Sequence, residues 1–323
     1  SRGTSCILFQ IRNKVLYLFD PYQVLEKSKL FHQTRIREMI WMLKLLIKEN
    51  RIPDLEFLVA VHDCIQTSNV KHEYRAPRFV ESSPTFTIVG CNFSDNIPFP
   101  MWEGDVDRGG TYQNWDETVR NYSQDSIPWE SKLNQAVFRG GVRISSYFEN
   151  KRTAGVLCEE AGRSRLMFLS QMFPEKFNVS VSGKCRNQKY NFVPLEPREH
   201  HQFKYYIYLE GNCFWADRLN RALFGPSAII KQETPCGQFY EPLLEPHVHY
   251  IPTDFFLRDT LMAIDWADKH STEVQNIVRN ANQFANQFLT LNGILIYAEV
   301  LLNQYALLLT EPNFAIEKGS VEI

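Results

Sequence analysis

The sequence has no surplus of either charge: 35 Lys and Arg stand against 37 Asp and Glu, a formal net charge of −2 over 323 residues. Without basic excess there is little to displace counterions from nucleic acid or an anionic membrane, so neither is expected as a partner. A run of the ~18 uncharged apolar residues that a membrane span needs is also missing. The most apolar stretch, residues 294–309, is interrupted by Glu299, Asn303 and Gln304 and reads as a buried helix. The seven cysteines (Cys6, Cys64, Cys91, Cys158, Cys185, Cys213, Cys236) include no CxxC pair, which excludes a zinc ribbon and a thioredoxin motif. Their odd number leaves at least one thiol outside any disulfide within the chain. HExxH and GxSxG are absent, as are internal repeats and low-complexity tracts. The chain starts at Ser1 without Met or a basic-then-apolar leader, so a targeting segment is expected to lie outside it. Its last residues, Ser320-Val321-Glu322-Ile323, do not form a KDEL-type retention signal.

What is present is the composition of a large folded protein. Apolar residues make up 44% and aromatics 13%, too much for a disordered chain. At roughly 100–200 residues per domain the length suggests two. Acceptor sequons at Asn92, Asn121 and Asn178 suit the secretory pathway and carry slight weight.

Two short strands are expected within residues 5–19, around a polar bend at 10–14. Thr34 reads as an N-cap, followed by Ile36, Met39, Ile40, Leu43 and Ile47 at helical spacing up to about Asn50. Arg51-Ile52-Pro53-Asp54 then turns the chain into Phe57-Leu58-Val59-Ala60-Val61, an apolar run of the kind buried in a parallel sheet. A further strand is expected at 86–89, and the aperiodic Gly, Pro, Asp and Trp-rich stretch 92–122 reads as a functional loop. Later strands are expected at Ala136-Val137-Phe138, 205–209, 228–230 and 249–251, with helices at 163–172, 218–224, 255–269 and 272–309. The economical architecture is two α/β halves joined near residues 123–132, with a helical tail.

Several constellations can carry chemistry. Asp63 follows the buried run, where α/β folds place ligands, and can act as a general base or cap a turn. Phe138-Arg139-Gly140-Gly141 leads towards Arg143, Lys151, Arg152, Arg163 and Arg165. Glycines admit close backbone approach and arginines supply planar donor forks, which suits a diphosphate, although a turn beside a solvated basic face has the same residues. A second glycine turn, Gly211 to Arg218, repeats the theme. His247 and His249 alternate as strand-borne ligands would, with His200 and His201 nearby, but lack a third-ligand pattern and read as structural. Asp105-Val106-Asp107 resembles a DxD metal motif and reads as incidental.

In order, Val61-His62-Asp63, Trp102-Glu103-Gly104 with Tyr112 ten residues on, Phe138-Arg139-Gly140, Tyr205 to Gly211 leading to Arg218, and His249-Tyr250-Ile251-Pro252 form a series. The series resembles the CAP10-like glycosyltransferases, whose best-known members are protein O-glucosyltransferases. The resemblance covers roughly residues 55–309 and includes the tail aromatics Trp266, Phe284, Tyr297 and Tyr305. It implies an α/β, GT-B-like fold: two Rossmann-like domains facing a cleft, with a helical C-terminal tail. The implied division is an acceptor-side domain over 1–130, a donor-nucleotide domain over 131–285 and a tail over 286–323 that packs back across both.

The resemblance further implies Asp63 as catalytic base, with Arg163 and Arg218 on the donor diphosphate. Arg152 and Arg165 are alternatives to Arg163. Tyr112, Arg139, Gly140, Gly141 and Gly211 fall on the donor side, and Trp102 and Glu103 on the acceptor side. The donor would be a UDP-sugar, used without metal or other cofactor, and the acceptor a protein or glycan in the endoplasmic reticulum lumen or Golgi. Three departures stand out: a longer loop between Gly140 and Arg163, an extra residue between Gly211 and Arg218, and acidic Asp105 to Asp107 where relatives are more apolar. The expected activity is therefore inverting, metal-independent transfer of glucose or xylose. The alternative is a catalytically silent, lectin-like or chaperone-like module on the same fold.

Overall fold

The computed structural model describes residues 6–61, 84–92, 94–101, 111–124, 127–142, 162–185, 188–211, 215–310 and 313–323. Asp63, Trp102, Glu103 and the Asp105 to Asp107 motif lie outside the described residues.

The chain opens with β1 (Cys6–Arg12) and β2 (Val15–Phe19), joined by Asn13 and Lys14, both at positive φ (51° and 63°). A two-residue turn with both φ values positive matches the right-handed twist of the strands it joins. Short α1 (Val24–Lys27) leads to α2 (Leu30–Lys48), then β3 (Leu55–Ala60), β4 (Thr85–Thr87), β5 (Gly90–Cys91), β6 (Ile97–Pro98) and α3 (Trp115–Ser123). Helix α2 begins earlier than its Thr34 suggests: that hydroxyl is spent inside the helix on the carbonyl of Leu30 at 3.1 Å. Within the stretch expected to be loop, Trp115, Val119 and Tyr122 recur at helical spacing and form the buried side of α3.

The second part comprises β7 (Leu133–Gly141), α4 (Gly162–Met172), β8 (Phe177–Cys185), β9 (Gln188–Tyr190), β10 (Phe203–Tyr208), α5 (Arg218–Ala222), β11 (Ala228–Gln232), β12 (Cys236–Gly237) and β13 (Ile251–Thr253). It closes with α6 (Thr260–Lys269), α7 (Ser271–Phe288), α8 (Leu291–Ala306) and β14 (Val321–Glu322). The long helical pattern at 272–309 is thus two helices, bent by 61° where Thr290 caps α8 by accepting the Gly293 N–H. Among the described residues no single helix is long and apolar enough to cross a membrane.

Two sheets organise these elements. The first runs β14-β2-β1-β3-β4-β6, antiparallel around the hairpin and parallel from β3 to β6. The second runs β13-β11-β10-β7-β8-β9 and is parallel except at β9. Side chains of the second sheet alternate between two cores. Tyr206 and Tyr208 face a core shared with the first unit, while Tyr205 and Ile207 enter one with Phe138, Leu166 and Ile264. The units are also stitched covalently. β5 pairs with β12, and Cys91 and Cys236, 145 positions apart, form a disulfide in that ladder. Helix α8 returns to the first unit, where Glu299 meets Arg51 at 2.6 Å and Tyr305 packs on Phe86 at 5.0 Å.

Candidate active site

In the second sheet the chain goes from β7 to β8 on one side, then to β10, β11 and β13 on the other. Strand order therefore reverses between β7 and β10, and doubly wound sheets bind ligands in the crevice at such a reversal, beyond the carboxyl ends of the strands. Here those ends are Arg139-Gly140-Gly141 on β7 and Glu210-Gly211 after β10.

Arg163, the second residue of α4, is buried between them. Its Nε donates to the Glu210 carbonyl at 3.0 Å and an Nη to the Gly141 carbonyl at 3.4 Å. Both glycines are required by close approach. A Cβ on Gly140 would lie 3.2 Å from the Arg163 guanidinium and 3.0 Å from the Phe138 ring. One on Gly211 would lie 3.2 Å from the same guanidinium and 2.8 Å from the Trp215 carbonyl.

Arg218, first residue of α5, reaches the same place from the other glycine turn. Its Nη1 donates to the Arg139 carbonyl at 2.5 Å. Both guanidiniums lie over the Phe138 ring, each 5.4 Å from its centre. Each cation–ring contact contributes about 0.5–2 kcal/mol, which offsets part of the repulsion between them. Among the described residues no carboxylate lies within ion-pair distance of Arg218. The two arginine turns, far apart in sequence, thus converge on one ring at the strand reversal, a concentration of positive charge suited to an anion. Arg165, the alternative to Arg163, lies instead over Phe168 on α4 at 5.6 Å, and Arg152 is outside the described residues.

Other candidates sit elsewhere. Arg139 offers the site its carbonyl, whereas its guanidinium ties β7 to β8 through the Asn178 carbonyl and side-chain oxygen, both at 2.7 Å. Burial pushes its pKa below the usual arginine value. The same contact engages one of the three sequon asparagines, while Asn121 is exposed on α3. Tyr112 is buried in the first unit, stacked on Trp41 and donating its hydroxyl to the Pro100 carbonyl at 2.7 Å. His247 packs edge-on against Trp266, and His249 accepts the Glu245 N–H through Nδ1 at 3.0 Å. His200, buried beside Tyr206 and in the field of Arg139 and Arg218, has its pKa lowered to about 4, chiefly by burial.

Two features escape a reading of sequence alone. Gln232, fully buried at the end of β11, accepts the Glu210 N–H at 3.0 Å and donates to the Phe255 carbonyl at 2.7 Å, which fixes the exit of β10. A glutamine closing the apolar run Ala228-Ile229-Ile230 was the available signal. A pocket of about 540 Å³ also opens beside the disulfide, lined by Lys231, Glu233, Glu241, Pro98 and Tyr250 among others. There the buried Lys231 and Glu241 approach to 3.5 Å, and burial raises the Glu241 pKa.

The profile of glycosyl transferase family 90 matches residues 8–323. The chain belongs to this family. It is 27% identical over 278 residues to protein O-glucosyltransferase 2 of Danio rerio, covering 83% of this chain and 50% of that protein. Human protein O-glucosyltransferase 3 is 23% identical over 293 residues (81% and 48% covered), and human protein O-glucosyltransferase 1 is 24% identical over 295 residues (84% and 67%). The chain thus spans about half the length of the first two. Among solved structures, Anabaena Alr3699/HepE in complex with UDP-glucose overlaps at a TM-score of 0.32 and 12% identity, covering 59% of this chain and 51% of that one, too slight to carry weight. The fold is of the expected α/β, GT-B-like class: two sheet-centred units with a helical C-terminal segment, the first sheet mixed and the second doubly wound.

Proposed function

We propose that this family 90 glycosyltransferase chain performs inverting sugar transfer, moving glucose or xylose from a UDP-sugar to a hydroxyl of a protein or glycan acceptor in the endoplasmic reticulum lumen or Golgi. The observation that carries this reading is the meeting of Arg163 and Arg218 at Phe138, where strand order reverses. A nucleoside diphosphate leaving an anomeric carbon gathers negative charge, which two planar donor forks and the N-terminus of α4 are suited to stabilise. That positive charge is the basis for proposing that no divalent cation is needed. Relatives named protein O-glucosyltransferase support a UDP-sugar donor, and the Cys91–Cys236 disulfide suits an oxidising compartment.

Asp63, two residues beyond Val61 at the exit of β3, is the proposed base. The acceptor oxygen bonds to the anomeric carbon as the bond to the diphosphate oxygen breaks. The hydroxyl proton passes to the Asp63 carboxylate and UDP departs with the electron pair. Gly140, Gly141 and Gly211 admit the donor's diphosphate beside the arginines. Arg139 and Tyr112 support the donor side through backbone and packing, and Trp102 and Glu103 are proposed to serve the acceptor side.

The test is thermal stability and turnover of the chain with UDP-glucose and UDP-xylose, with and without EDTA. A ligand that binds only the folded state raises the melting temperature. The expected result is a shift that survives EDTA, weakened about 10- to 100-fold in affinity by Arg218→Ala through loss of a charged contact. Asp63→Asn should keep that shift and lose about 10²–10⁴ in kcat. No shift with any UDP-sugar would sink the proposal. Binding without turnover in the unaltered chain would leave the silent module instead.

A further inference from the structure

Helix α2 buries two opposite charges one turn apart, Arg35 and Glu38. Arg35 is 0% exposed. Its Nη1 donates to the Val61 carbonyl at 2.5 Å, and its guanidinium lies over the Trp215 ring at 5.5 Å. Val61 is at the exit of β3 in the first unit. Trp215 belongs to the Gly211 to Arg218 turn of the second: its carbonyl accepts the Gly211 N–H at 2.7 Å. The next residue, Ala216, is held at N–H and carbonyl by the Tyr208 hydroxyl, at 3.0 and 3.1 Å. One side chain therefore grips the strand exit of one unit and the arginine-bearing turn of the other.

Core stability does not explain such a residue well. Taking a guanidinium out of water costs several kcal/mol, and an apolar side chain of similar volume fills the space without that cost. Glu38 makes the matching contact on the same helix, accepting the Tyr112 N–H at 2.7 Å, ten residues after Trp102 in sequence. Burial raises its pKa.

We infer that Arg35 is a positioning residue for sugar transfer: through the Val61 carbonyl and the Trp215 ring it sets the exit of β3, two residues before Asp63, in register with the turn that carries Arg218. The inference rests on the transferase reading. Transfer needs the base and the leaving diphosphate placed together, and a displacement of about 1 Å can cost ~10²-fold in rate. Binding of the donor diphosphate, for which the arginine cluster lies within the second unit, does not need that register.

The experiment measures UDP affinity by calorimetry, and kcat and KM with UDP-glucose and UDP-xylose, for the unaltered chain, Arg35→Lys, Arg35→Met and Trp215→Leu. Arg37→Ala, on the exposed side of α2, serves as control. Arg35→Met is expected to bind UDP within about threefold of the parent and to lose about 30- to 100-fold in kcat with KM little moved. Arg35→Lys keeps one donor for the Val61 carbonyl and should recover about tenfold of that loss, with Arg37→Ala unchanged. If Arg35→Met does not fold, Arg35→Lys and Trp215→Leu decide the matter, each expected to lose about 3- to 10-fold in kcat with UDP affinity kept. Parental kcat in a folded Arg35→Met, or in both of the other variants, overturns the inference alone, as does a loss explained wholly by weaker UDP binding. A parent chain that binds no UDP overturns the transferase reading and the inference with it.

Discussion

At the exits of β7 and β10 the described residues that gather at the Phe138 ring come from the second unit: Phe138, the neighbouring glycines, Arg163 and Arg218 all lie within one doubly wound sheet and its helices. At the exit of β3, by contrast, the Val61 carbonyl is held by Arg35, whose ring partner Trp215 belongs to the neighbouring unit. One strand exit is self-contained and the other is defined across the junction. The difference separates two tasks: an anion can be bound by a cluster that one unit builds alone, whereas a reaction between groups on both sides needs a contact that fixes them to each other.

The largest effect should come from cutting the covalent stitch. Cys91→Ser with Cys236→Ser opens a loop of 145 positions, and the chain is expected to lose about 4 kcal/mol in denaturant unfolding. The UDP-induced rise in melting temperature should persist in the folded protein, because no residue of the arginine cluster is in the first unit. Loss of that response would show that the cluster is not self-contained. Gly211→Val attacks the other side. Its Cβ would meet the Trp215 carbonyl at 2.8 Å, so we expect a loss of about 3 kcal/mol together with the UDP response. Tolerance of valine would mean that the turn is not tightly built.

The smallest effect concerns pH. Folded His200 takes up a proton only near pH 4, whereas an unfolded histidine does so near 6.5. The unfolded state therefore binds more protons between those values, and stability falls as pH drops through that window and is untouched above it. In His200→Gln the acid loss should be shallower, by on the order of 1–2 kcal/mol at pH 5. Parallel stability curves for the two proteins would rule out His200 as the source of the acid loss.

Strands were legible where the apolar run is continuous, as at Phe57 to Val61 and Tyr205 to Leu209. Helix boundaries were less so. Thr34 has the chemistry of a cap but bonds backwards to Leu30, and the apolar period runs through the bend at Thr290 without a break. The arginine turns could be named from glycine and arginine spacing, but their convergence depends on strand order, which pairs residues 136 and 205 as neighbours and is written in no local pattern. The roles of Gln232 and Arg35 were not legible for a related reason: each has polar neighbours in sequence, Lys231 and Glu233 or Thr34 and Arg37, and only the structure tells which carbonyl or amide it serves.

The first sheet is completed by the last residues of the chain. β14 pairs with β2, and the Gln10 side chain donates to the Ala315 carbonyl, 305 positions later. At ~5–20 residues per second of synthesis, roughly 15–60 s separate the emergence of these partners. Through that interval the hairpin presents an uncapped edge, an open template for another strand. Closing of this sheet thus waits for residues 315–323 to be made, and for that long the nascent hairpin depends on whatever shields exposed edges where it is made.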